Sequence, residues 1–132
     1  MAFDYGLRHI GIAIGQSMTG QARGVATVQA KEGTPAWRDI KRLVQEYAPG
    51  SLVVGEPLHM DGEPSDMSMY ATRFAQGLKD RYKLPTTMAD ERLTSRLAHE
   101  LLEDAIALGT ARTIHEVSAC LIAEQYLRDL NP

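Results

Sequence analysis

Three apolar runs fall within the first 29 residues, at 1–5, 9–15 and 22–29, and the connections between them are too short to hold a helix. The first joint is a tight turn around Gly6, and the second is the polar "SMTGQ". Strands joined this closely pair antiparallel, because a parallel crossover needs roughly a dozen residues or more. The chain is therefore expected to open as a β-meander.

The periodicity then changes. Thr34 reads as an N-cap with Pro35 in the first turn, and Trp37, Ile40, Leu43, Val44 and Tyr47 form a helical stripe that Pro49-Gly50 ends. "SLVVG" has the length and composition of a strand buried on both faces. After the loop "EPLHMDGEPSD", Ser65 can cap a helix reaching Tyr82, and "LPTTMAD" reads as a fifth strand ending on Asp90-Glu91. Helices from Thr94 to Leu108 and from Ile114 to Leu130 follow, separated by "GTART". The order βββαβαβα belongs to the α/β class, and right-handed crossovers imply a mixed sheet with helices packed on it. Trp37, Tyr47, Tyr70, Phe74 and Tyr126 read as core. A chain of 132 residues has room for one domain, taken as residues 1–132.

Strands 1, 4 and 5 each run into an acid: Asp4, Glu56 and Asp90-Glu91. In such sheets ligands bind outside the strand ends near a topological switch point, so these acids can meet at one place. Carboxylates gathered in one cleft repel each other unless cations neutralise them. Magnesium takes oxygen ligands and commonly uses one or two carboxylates plus substrate phosphates. Two such ions about 3.5–4 Å apart can activate a water and stabilise the leaving oxygen of a phosphodiester. Each acid also has a structural explanation. Asp4 can make a turn with Tyr5-Gly6, Asp90 or Glu91 can face a helix N-terminus, and Glu56 can be a solvated loop acid. Neither a Walker loop nor G-x-S-x-G is present.

With a net charge of −3, any nucleic-acid surface must come from local clusters. Arg8, Arg23, Arg73, Arg92, Arg96 and Arg112 are the candidates for phosphate contact, with Arg92 foremost. No run approaches a membrane span, and the N-terminal residues carry no basic-then-apolar leader. The single Cys120 cannot form an internal disulfide, reads as a small buried hydrophobe, and suits a cytoplasmic protein.

"FDYGLRHIGIAIGQ", "LVVGEPLHMDGEPSDMS", "DERLTSRLA" and "SACLIAEQYL" together resemble the YqgF family. Its members are bacterial proteins described as Holliday-junction resolvases and as nucleases that mature the 5′ end of pre-16S rRNA. The resemblance implies an RNase H-like fold, with a five-stranded mixed sheet ordered 3-2-1-4-5 and strands 1 and 4 as parallel neighbours. It implies catalytic, metal-holding carboxylates at Asp4 and Glu91, with Mg²⁺ or Mn²⁺ as cofactor. The family's third carboxylate is an Asp at the start of the last helix, and here His115 stands in its place, in "TIHEVSA". Imidazole can bind a divalent metal, suiting manganese better than magnesium, or it can simply be a polar residue at a helix start. Glu56, Asp90 and Glu116 are further candidate ligands, and the loop before the helix holds Arg112 as its one basic residue. Three functions follow from the resemblance: an endonuclease processing pre-16S rRNA, a resolvase of branched DNA, or a catalytically weakened member that binds RNA or a protein partner. A monomer and a homodimer both fit.

Overall fold

The computed structural model describes residues 1–57, 61, 63, 65–90 and 94–130. Within them the elements are β1 (Ala2–Asp4), β2 (His9–Gln16), β3 (Gln21–Lys31), β4 (Thr34–Pro35), α1 (Trp37–Tyr47), β5 (Leu52–Glu56), α2 (Asp66–Tyr82), β6 (Thr86–Asp90), α3 (Thr94–Leu108) and α4 (Ile114–Leu130). The sheet order is β4-β3-β2-β1-β5-β6. The expected 3-2-1-4-5 arrangement is present, with β1 parallel to β5 and β5 parallel to β6.

The sixth strand is a correction. Thr34 is not a helix cap: it pairs with Lys31, and Pro35 pairs with Ala30. Glu32 and Gly33 both take positive φ (51° and 87°), as the two central residues of a tight hairpin turn of matching twist must. Ala36 stands at the N-cap of α1 instead and offers no side-chain hydrogen bond. Ser65 does start α2, its amide donating to Ser68 Oγ at 2.9 Å in a capping box.

Alternation in β2 divides the sheet into two unlike faces. Ile10 and Ile12 enter the main core with Phe3, Leu52 and Val54, under Ile40 and Leu43 of α1 and Phe74 and Leu78 of α2. Gly11, Ala13 and Gly15 present almost no side chain to the other face, so α4 lies directly on the sheet. Ala13 meets Ala119 and Cys120, and Ala2 and Val53 meet Ile122 and Ala123. A β-carbon on Gly11 would fall 1.9 Å from the carbonyl oxygen of His115, so position 11 has no room for any other residue. Cys120 is buried as expected, whereas Tyr70 is 41% exposed and is not core. Among the described residues no helix is long and apolar enough to cross a membrane.

Candidate active site

Asp4 ends β1 and shares its face with Ala2, which packs under α4. Its strand has an antiparallel neighbour on one side and a parallel one on the other, so it lies where the chain reverses its direction across the sheet. Opposite Asp4 in the β1–β2 register is Gly11, and on Gly11 rests the first turn of α4. His115 is thereby brought to the face and the strand end that carry Asp4.

His115 is half-buried, and its ring stacks on that of His9 with centroids 4.8 Å apart and planes 19° from parallel. Burial holds its pKa below the usual histidine value, and the charge His9 would carry pushes in the same direction. Both effects favour the neutral imidazole, the form able to ligate a metal or accept a proton. Nothing in the sequence flags His9, because its partner is more than a hundred positions away.

Glu116 points elsewhere. It is 1% exposed and faces β3, where a β-carbon on Gly24 would fall 2.6 Å from it. The Arg112 amide donates to its Oε1 at 3.2 Å, and the Arg112 guanidinium and the Thr27 hydroxyl approach its Oε2 at 3.5 and 3.4 Å. The Glu116 amide in turn donates to Thr113 Oγ1 at 3.1 Å, and that hydroxyl lies 2.7 Å from Thr27 Oγ1. Thr113-x-x-Glu116 is therefore a capping arrangement that anchors α4 to β3, and "TIHE" carries its signature in the sequence. With its carboxylate engaged on the β3 side, Glu116 belongs to the support of the site.

Glu56 and Asp90 are register partners at the ends of β5 and β6. By alternation they follow Val54 and Met88, which belong to the core beneath α1 and α2, and so lie on the opposite face of the sheet from Asp4. The acidic strand ends share one edge but divide between two faces. Glu91 and Arg92 lie outside the described residues. Arg8 is exposed, its carbonyl accepting from the Ala30 amide at 2.9 Å. Arg96 is exposed and pairs with Glu100 at 3.7 Å on α3. The Arg112 side chain is 73% exposed and also donates to the Val25 carbonyl at 3.2 Å. Among the described residues no three His, Cys, Asp or Glu side chains form a group suited to a metal ion. Asp4 and His115 are a carboxylate and an imidazole at one strand end, side chains of the kinds that divalent ions take as ligands.

Residues 1–129 match the family model described as "RuvX: Holliday junction resolvase". A protein of Azotobacter vinelandii named "Putative pre-16S rRNA nuclease" is 42% identical over 131 residues, covering 98% of this chain and 92% of its own. A Pseudomonas aeruginosa protein of the same name is 41% identical over 131 residues, covering 98% of this chain and 91% of its own. Among solved structures, Thermus thermophilus RuvC in complex with a Holliday junction substrate superposes with a TM-score of 0.57 at 17% identity, covering 98% of this chain and 93% of that one. The Fowlpox virus resolvase bound to Holliday junction DNA gives 0.57 at 13% identity, covering 98% and 97%. At those identities the likeness concerns the fold, which is RNase H-like, while the sequence match over almost the whole length settles kinship: the chain belongs to the RuvX/YqgF family of Holliday junction resolvases and their relatives.

Proposed function

We propose that this protein is a divalent-metal-dependent endonuclease of structured nucleic acid whose substrate is the 5′ region of pre-16S rRNA. Residues 1–132 act as one nuclease domain in the cytoplasm, and Asp4, Glu91 and His115 hold the metal. The observation that carries this reading is the seating of α4 on Gly11, which sets His115 on the face and strand end of Asp4. The name shared by the relatives supports the substrate.

Mg²⁺ or Mn²⁺ bound there would supply an activated water and a counter-charge for the leaving oxygen. The chain's own work is to present the donors. Asp4 offers carboxylate oxygen at the end of a strand buried at its start, and His115 offers nitrogen from a helix start whose capping contacts fix it. Glu91, two positions past Ala89 in the sequence, is the proposed third donor. Arg8, Arg92, Arg96 and Arg112 are the proposed phosphate contacts, and Arg112 has guanidinium N–H groups turned to solvent beyond those that meet Glu116 and Val25.

The test is cleavage by purified protein of an RNA spanning the 5′ end of pre-16S rRNA, beside a four-way DNA junction, each with Mg²⁺ and with Mn²⁺. Preferential cutting of the RNA is expected. Cutting of the junction alone would favour the resolvase activity in the family description. Binding of either without cutting would make this a non-catalytic member.

A further inference from the structure

We propose that His9 is a positioning residue for His115, holding its imidazole by stacking so that the site selects manganese-like ions over magnesium. The inference rests on the reading of Asp4 and His115 as metal-holding side chains.

The backbone of His115 is fixed twice: its carbonyl sits against Gly11, and the contact of Glu116 with the Thr27 hydroxyl ties the next residue to β3. Neither contact sets the rotation of the His115 ring, which is only half-buried. The contact on that ring's face is His9, at the start of β2. By alternation His9 shares the sheet face of Gly11. His9 is itself held by the β2–β3 ladder, where it pairs with Gln29.

The stacked geometry rules out the simpler idea that both rings chelate one ion. A metal binds imidazole nitrogen in the plane of the ring, at about 2.1 Å for zinc. Rings stacked with centroids 4.8 Å apart and 19° from parallel aim their lone pairs side by side, so the two do not converge on one ion. His9 therefore acts on His115 through its face. A neutral nitrogen donor held in one orientation favours Mn²⁺ over Mg²⁺, which prefers an all-oxygen, well-hydrated shell.

The experiment is calorimetric titration of the full chain with Mn²⁺ and with Mg²⁺, for wild type, His9→Phe, His9→Ala and His115→Ala, with thermal melts to establish folding. His9→Ala is expected to weaken Mn²⁺ binding about 10-fold, the lower end of what removal of a ligand's supporting contact costs, with little change for Mg²⁺. His9→Phe keeps a ring for stacking without a nitrogen and should stay within about 3-fold of wild type. Wild-type affinity in His9→Ala would overturn the role of His9 alone, and equal losses in His9→Phe and His9→Ala would overturn stacking in favour of a nitrogen contact. Mn²⁺ binding that is absent from wild type or unaltered in His115→Ala would overturn the proposal through the metal reading. The His115 ring resonances then separate the two ideas, because loss of the stack in His9→Ala must shift them whether or not a metal binds.

Discussion

The carbonyl oxygen of His115 occupies the space that a β-carbon on Gly11 would need, 1.9 Å from its ideal position. Because Gly11 is the register partner of Asp4, this one contact sets where the last helix begins relative to the end of the first strand. Gly11→Ala must push backbone against backbone, which cannot be relieved by a side-chain rotation. A loss of about 3 kcal/mol in urea unfolding is expected, at the upper end of what overpacking costs. Gly50→Ala, where nothing lies within 4 Å, should remain within about 1 kcal/mol of wild type and serves as the control.

That contact also shows what the sequence could and could not convey. The alternation of Ile10, Ile12 and Ile14 with Gly11, Ala13 and Gly15 signals a strand with a bulky face and a bare one, and the short joints give the opening meander, while the place of the two parallel strands follows from the family resemblance. Which helix covers the bare face follows from neither, since α4 starts a hundred positions later. Thr34 has the local chemistry of a cap, but the positive-φ turn at Glu32-Gly33 folds it back on Lys31. Glu56 and Asp90 follow apolar strands just as Asp4 does. Strands buried on both faces give no sign of which way their last residue faces, so only the packing of Val53 and Val54 on different helices separates them from Asp4. Glu91 and Arg92 are outside the described residues, and their roles stay with the family resemblance.

Glu116 should behave as an anchor. Glu116→Gln weakens charge-assisted contacts to the Arg112 amide and the Thr27 hydroxyl in a site that is 1% exposed. Chemical denaturation should register a loss of roughly 1.5–3 kcal/mol, the range for hydrogen bonds to a charged group. Arg112→Ala removes a partner that is 73% exposed and should cost less than about 1 kcal/mol. The reverse order of the two effects would mean that the ion pair, not the buried cap, holds α4.

Stability should carry the mark of the His115 pKa. Burial lowers it in the folded state, so the unfolded chain takes up the proton more readily. Above the unfolded value of about 6.5 both states are neutral and the residue contributes nothing. As the pH falls from there toward the folded pKa, the unfolded state gains protons first and stability declines. Melting curves of wild type and His115→Asn should therefore converge near neutrality, with wild type losing more as the solution is acidified. Parallel curves across that window would contradict the assignment.

His115→Asp replaces a neutral nitrogen donor by a carboxylate and should raise Mg²⁺-dependent cleavage, while His115→Ala should lower activity with either ion. Equal rates for all three proteins at one pH and metal concentration would make His115 a helix-start residue only.

The central claim is that Asp4, held at the switch point under α4, works as a metal-holding carboxylate in phosphodiester cleavage. The measurement that tests it most directly is cleavage of the pre-16S rRNA 5′ region by wild type and Asp4→Asn, in Mg²⁺ and in Mn²⁺, with melting temperatures recorded for both proteins. The expected result is an Asp4→Asn protein that melts like wild type and cuts only at the rate of the metal-containing buffer. A folded Asp4→Asn protein that cuts at the wild-type rate would contradict the claim.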